Sequence, residues 1–413
     1  MIEDDSTRTG TTTFIQGTCG WSDQSLVSCG RFYPKGIRSS TEKLHFYSRS
    51  NVFGCVEVDS SSYHIPTAVT VSKWLESTPA HFKFHFKAFG FLVHGGGKIS
   101  SLPQHIRSMI DVKSSANNSY LSISKISEQC STAIWQDFNS ALLPARTAGK
   151  LGVVVFQFQL NIIPTESARN YIEYCANNLD PTYPMGVEFR NRKWFEEEKA
   201  VANLQSWLGG LRGPNMITLI SCDDLEHELY QRDSEQCGLT PGRELVHLPI
   251  HFSSNPFCNF LYVRVHRRFG TNRVLADWEI DAWRQRIMDV AEKSNCTIYF
   301  LWGTDHEDQP IINARNLSRL LPPRLLPSLK ERQLTPSRKT DGIAAAFARS
   351  SGNGKRPISI DCDQQQHKAA KVELLEDSQT NDTTVETSGQ AIQSIKKGSL
   401  LRYFQPTAKE NTS

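Results

Sequence analysis

The sequence lacks several features that would have assigned it to a class at once. No two of its ten cysteines are spaced as CxxC. That excludes the common zinc-cluster frameworks and gives no sign of a disulfide scaffold, so the thiols read as reduced packing residues. No stretch approaches the roughly 20 apolar residues of a membrane span. The opening residues Met1-Ile2-Glu3-Asp4-Asp5 are acidic where a secretory signal is basic, so a protein neither membrane-bound nor secreted is expected. Neither sign of charge dominates: 46 Lys+Arg face 43 Asp+Glu across 413 residues. Histone-like wrapping of nucleic acid is excluded, and only local basic patches are left to consider. HExxH is absent as well.

Aromatic residues are scarce in one region only. All eight tryptophans precede residue 303, whereas residues 331–413 hold just Phe347, Tyr403 and Phe404. A tail so poor in apolar surface cannot offset its chain entropy, so the reading is a folded domain over residues 13–330 between a disordered N-terminus (1–12) and a disordered tail (331–413). The Ser- and Asn-rich stretch Ser114 to Ser131 reads as a loop insertion.

Within the domain eight β-rich runs recur: Thr13 to Thr18, Val52 to Val58, Phe82 to Ala88, Leu151 to Phe158, Met185 to Phe189, Met216 to Cys222, Phe260 to His266 and Thr297 to Trp302. Most are separated by spans that can hold a helix, among them Ser40 to Ser50, Thr67 to Ser77, Ser167 to Asn178 and Asp277 to Lys293. Alternating strands and helices imply a parallel sheet, and eight strands imply an α/β (β/α)₈ TIM barrel, with an open doubly wound sheet as the alternative.

Side chains alternate across a strand, so parity sorts each run into two faces. Val263 and Val265 oppose Tyr262, Arg264 and His266, while Val56 and Val58 oppose Glu57 and Asp59. Phe84 and Phe86 oppose Lys83, His85 and Lys87; Phe156 and Phe158 oppose Gln157 and Gln159; Val187 and Phe189 oppose Glu188 and Arg190. In a barrel the apolar parity faces the helices, which turns the polar parity inward and places the late charges at the C-terminal mouth. Such charges must pair with one another, meet water or meet a ligand. Glu188 with Arg264 and Glu57 with Lys87 are the plausible internal pairs.

The chain resembles the YecE-like family, domain-of-unknown-function family 72, over approximately Ile15 to Leu321. The resemblance rests on Gly17-Thr18-Cys19-Gly20-Trp21, Phe32-Tyr33-Pro34, the run Val56 to Pro66, Trp74 with Thr78-Pro79, and Phe86-Lys87 ahead of His94. It continues through Phe156-Gln157-Phe158, Val187-Glu188-Phe189-Arg190 with Trp194, Cys222-Asp223, the run Tyr262 to His266, and Asn313-Ala314. It implies a TIM barrel and brings no established activity. Arg267-Arg268 stand where the family tends to have a glycine, and Trp302-Gly303-Thr304-Asp305 where an asparagine pair is expected.

Lys87, His94, Arg190, Arg264 and His266 bring cations to one opening, and Glu57, Asp59, Glu188 and Asp223 bring carboxylates. That mixture suits an anionic substrate, since arginine forks match phosphate oxygens and a carboxylate beside them can act as base or hold a divalent cation. Glu188, Asp223 and His266 are the expected catalytic groups; Lys87, His94, Arg190, Arg264, Glu57 and Gln157 are the expected substrate or anion contacts. The metal is left open, with Glu57, Glu188, Asp223 and His266 as possible ligands. Cys222 reads as a nucleophile or, more plainly, as a buried thiol, and Gly95-Gly96-Gly97 as an anion cradle or a flexible turn. Arg267, Arg268 and Arg273 read as a nucleic-acid contact or a solvated basic loop. The expected activity is phosphoester chemistry on DNA, with apurinic endonucleases as an analogy of fold only. A non-catalytic adaptor and a phosphosugar isomerase or lyase are the alternatives.

In the tail, Lys397-Gly398-Ser399-Leu400-Leu401-Arg402-Tyr403-Phe404 resembles a sliding-clamp (PCNA) interacting box. Leu400 would be the aliphatic anchor and Tyr403 with Phe404 the aromatic pair; Lys397 stands where a glutamine normally opens the box. With Lys355-Arg356, Lys368 and Lys371 as a loose import signal, a nuclear location is expected, and otherwise a cytoplasmic one.

Overall fold

Each of the eight β-rich runs forms a strand in the computed structural model, which describes residues 11–110, 120–159, 161–223, 250–266 and 271–327. The strands in chain order are β1 (Thr13–Thr18), β2 (Cys55–Val58), β3 (Lys83–Lys87), β4 (Gly96–Lys98), β5 (Tyr120–Ser122), β6 (Leu151–Phe158), β7 (Met185–Phe189), β8 (Ile217–Asp223), β9 (Phe260–Val265) and β10 (Thr297–Trp302). Eight of them run parallel in the order β1-β10-β9-β8-β7-β6-β3-β2. Between the two end strands the Gly54 N–H donates to the Gln16 carbonyl at 3.0 Å, so the sheet curls into a nearly closed barrel. At that seam a Cβ on Gly17 would overlap the Cys55 carbonyl, which is why the position carries glycine.

Polar caps set several of the helix starts. Ser39 opens Ser40–Tyr47 with a capping box, its hydroxyl accepting from the Glu42 N–H while the Glu42 carboxylate accepts from the Ser39 N–H. Thr67, Thr165 and Ser127 cap Ala68–Glu76, Glu166–Asn178 and Glu128–Thr147 in the same way with single side-chain acceptors. Buried Lys150 closes the end of Ala68–Glu76: its Nζ donates to the carbonyls of Leu75 (2.6 Å) and Thr78 (2.8 Å).

Two boundaries differ from those expected. Of the stretch 114–131, residues 120–131 are not a loop: β5 pairs antiparallel with β4, a 3₁₀ turn covers Ile123–Lys125, and the helix Glu128–Thr147 has begun. Two of the serines that looked like low complexity are caps, Ser122 for the turn and Ser127 for the helix. Thr12, expected in a disordered N-terminus, is buried with its hydroxyl against the Ser294 carbonyl. Residues 1–10, 111–119 and 328–413, which include the tail motif, lie outside the described residues. No described helix is long and apolar enough to cross a membrane.

The apolar parity packs outward as expected. Phe156 stacks near Trp135 of Glu128–Thr147, and Phe189 stacks on Trp194 with centroids 4.0 Å apart. The lumen is not uniformly polar. Val153, Val155, Ile220, Tyr262 and Leu301 fill much of it; the buried charges Glu57, Glu188 and Arg264 lie late in their strands, whereas Lys83, at the start of β3, donates to the Gly149 carbonyl at 2.6 Å. One irregularity falls inside: the β3–β6 register slips between Phe84↔Leu151 and Phe86↔Val154. The His85 ring fills the gap, its Nδ1 accepting from the Val153 N–H at 2.9 Å. A Cβ on Gly152 would come within 2.5 Å of that ring.

Candidate active site at the barrel mouth

Arg264 is the hub. It stands late in β9, where valines on the other parity face the helices, and the barrel wall turns it inward. Its Nη1 donates to Glu188 Oε2 (2.6 Å) and Gln157 Oε1 (2.8 Å), and its Nη2 donates to Glu57 Oε1 (2.8 Å). The Tyr262 hydroxyl donates to the other Glu57 oxygen at 2.8 Å, and Cys19 Sγ lies 3.9 Å from Nη2. Both carboxylates are fully buried and Arg264 is 4% exposed. A buried guanidinium between two buried carboxylates is held by geometry and hydrogen bonding rather than by water. Of the two internal pairs expected, Glu188 with Arg264 is present, whereas Glu57 pairs with Arg264 and not with Lys87.

A second, more open layer lies above this network, at the C-terminal ends of the strands. Arg190 Nη1 contacts Glu188 Oε1 at 3.1 Å and His266 Nε2 at 2.8 Å, and the same Glu188 oxygen is 3.2 Å from His266 Nε2. The side chains of His266, Arg190 and Asp59 are 14%, 23% and 36% exposed. Lys87, at the end of β3, is half-buried; His94 is exposed and close to Gln159.

The two carboxylates titrate apart. Burial pushes Glu57 up to about 8, against the pull of Arg264. Burial acts on Glu188 too, but Arg264, then His266 and Arg190, outweigh it and hold this carboxyl well below the usual range. The difference is one of neighbours, since Glu57 faces a single guanidinium plus the Asp59 carboxylate while Glu188 sits between two guanidiniums. Burial and the adjacent Arg190 lower His266 and favour its neutral form. Opposed shifts on neighbouring groups mark sites able to give and take protons.

The structure thus brings together Glu57, Gln157, Glu188, Arg190, Arg264 and His266. Asp223 does not join them. In the β8–β9 register Cys222 lies beside Arg264 and Asp223 beside Val265, so Asp223 turns outward, where its Oδ2 accepts from Trp283 Nε1 at 2.7 Å. Its expected service as base or metal holder at the mouth is corrected on that ground; applied to this run, the same parity rule would have placed Cys222 inside. Ligand atoms of Glu188, Cys222 and His266 lie within 4.8 Å of one another. Tyr262 and Cys19 also reach the network, beyond the residues the sequence points to; the parity Tyr262 shares with Arg264 is the signal for the first. The glycine triplet is neither cradle nor free turn: Gly96 and Gly97 pair with β5, and a Cβ on Gly96 would overlap the Leu121 carbonyl. Arg273 donates to the Asp305 carbonyl at 2.5 Å, while Arg267 and Arg268 lie outside the described residues.

Comparison with known proteins agrees with this architecture. A DUF72 family protein from Enterococcus faecalis V583 superposes with a TM-score of 0.53 at 15% identity, covering 75% of this chain and 95% of that one. A DUF72 family protein from Thermotoga maritima MSB8 gives 0.51 at 17%, covering 75% and 98%. Over 198 residues the sequence is 27% identical to the UPF0759 protein YunF of Bacillus subtilis (strain 168); this is 46% of the chain and spans only 57% of that relative. The family described as "Protein of unknown function DUF72" matches residues 15–336, and the chain belongs to it.

Proposed function

We propose that the barrel mouth binds a phosphate-bearing substrate and acts on it by acid–base catalysis, in the sharper form as a nuclease-like enzyme on DNA. The observation that carries this reading is the shared contact of Arg190 with Glu188 and His266 at the half-open rim. A substrate phosphate competes for the Arg190 fork. Drawn to the phosphate, Arg190 leaves the His266 Nε2 lone pair free to take a proton from water, with Glu188 holding the imidazolium that forms. Lys87 supplies a second cation at the rim, and Glu57 is the proton-bearing carboxyl beneath it. Arg264, expected as a phosphate clamp, is already committed to Glu57, Glu188 and Gln157, so this reading gives it the task of fixing both carboxylates.

The test is a panel of a phosphodiester, abasic and branched DNA, and phosphosugars, each with and without divalent metal. Turnover of one class by the wild type, reduced about 100-fold in His266→Asn, is the expected result. Binding without turnover moves the protein to the adaptor class. Isomerisation of a phosphosugar favours the third class, and no binding of any phosphate compound ends the reading.

Recruitment to DNA rests on the tail pattern. Leu400, Tyr403 and Phe404 plugging a sliding clamp would place the protein at replication sites in the nucleus. Titration of a peptide of residues 393–408 against the clamp, with Tyr403→Ala and Phe404→Ala as controls, checks it; equal binding by the controls sinks it.

A further inference from the structure

We infer that Glu188, Cys222 and His266 form a site for one zinc-like transition-metal ion, and that Arg190 occupies the ion's place when it is absent. The three side chains come from β7, β8 and the residue after β9, neighbouring strands of the wall, and their ligand atoms lie within 4.8 Å of one another. Ligand atoms around tetrahedral zinc stand roughly 3.5 Å apart, so closure needs shifts of about 1 Å. Thiolate, imidazole and carboxylate together suit zinc or cobalt rather than magnesium or calcium. Three protein ligands also leave a fourth position open, as in catalytic sites.

Two features prepare the site. Arg264 holds Glu188 by Oε2 at 2.6 Å, which fixes the carboxylate and leaves Oε1 facing His266. The position between that oxygen and His266 Nε2 is taken by Arg190 Nη1, at 3.1 and 2.8 Å, so a positive group already sits where the ion would. Arg190 is at the rim, its side chain 23% exposed, and the inference requires it to give way to the ion. The charge balances: the ion brings +2, while Arg190 departs with +1 and the Cys222 thiol releases one proton to solvent. An ion held by these residues would use the Nε2 lone pair, and the chemistry it would supply is the activation of water at its open position in place of His266. The inference shares Glu188, Arg190 and His266 with the phosphate reading, but it concerns what binds and not what is turned over, so each can fail without the other.

Full-length reduced protein is titrated with Co²⁺ and then Zn²⁺ under anaerobic conditions. One Co²⁺ per chain is expected, with a near-ultraviolet thiolate-to-cobalt band displaced by Zn²⁺. Cys222→Ser should lose the band and bind at least about tenfold more weakly, whereas Arg190→Met should bind about tenfold more tightly. Circular dichroism of both variants establishes that they fold. A band that survives in folded Cys222→Ser, or no stoichiometric binding by either the wild type or Arg190→Met, overturns the inference. If the site binds metal but phosphate compounds fail to bind, only the substrate reading falls.

Discussion

Arg264 Nη1 lies 2.6 Å from Glu188 Oε2, although 76 positions separate the two residues in the chain. That contact, with its counterpart from Nη2 to Glu57, joins β9 to β7 and β2 through the inside of the barrel. The same three residues therefore hold the wall and shape the floor of the mouth.

Removing the hub should cost stability before it costs binding. Arg264→Ala strands the buried Glu188 carboxylate and leaves Glu57 without its guanidinium donor, and a loss of about 3–5 kcal/mol in urea unfolding is expected. Combining Arg264→Met with Glu57→Gln and Glu188→Gln should recover part of it, since fewer buried charges then lack a partner. An Arg264→Ala variant as stable as the wild type would show that the network contributes nothing to the fold.

His85 predicts a pH dependence. Burial lowers it to about 3 from an ordinary 6.5, and Lys83 adds to the effect. As pH falls below about 6.5 the unfolded chain takes up this proton while the native protein does not. The stability contributed by neutral His85 is therefore fully present above that pH and is lost at about 1.4 kcal/mol per unit below it. Glu57, raised, acts in the opposite sense, so the His85 share is read as a difference between variants. His85→Gln keeps an acceptor for the Val153 N–H and does not titrate. Between pH 6.5 and 5 the wild type should lose about 2 kcal/mol more than this variant; equal slopes in urea titrations would refute the assignment.

The seam gives a steric prediction. Gly17→Ala forces a methyl against the Cys55 carbonyl, backbone that cannot rotate away, and should cost about 1–3 kcal/mol. Gly210→Ala, in the helix Ala200–Leu211 with open space around it, should instead stabilise by about 0.5–1 kcal/mol. Thermal melts of the pair separate local packing from helix propensity.

Tyr262→Phe removes one hydroxyl and nothing else. Glu57 then loses its partner at 2.8 Å, and a destabilisation of about 0.5–1.5 kcal/mol at neutral pH is expected. A neutral outcome in urea unfolding would mean that water replaces the hydroxyl inside the barrel.

The number of barrel strands, their faces and many of their limits follow from the sequence by itself, whereas the β4–β5 hairpin does not. The reason is local: a strand repeats every two residues, so Val263 and Val265 declare the outward face and thereby the inward one of Arg264. Thr13–Thr18, Leu151–Phe158, Met185–Phe189 and Thr297–Trp302 keep their expected limits to the residue, as does the helix Asp277–Lys293. Serine-rich composition misled at residues 120–131, because the same residue type that marks a loop also caps a helix.

Which inward residues meet was decided by tertiary structure alone. Partner choice depends on the stagger between strands as the sheet closes, a non-local quantity that no single run contains. Closure gave Glu57 to Arg264 instead of Lys87 and set Cys222 beside Glu188 and His266.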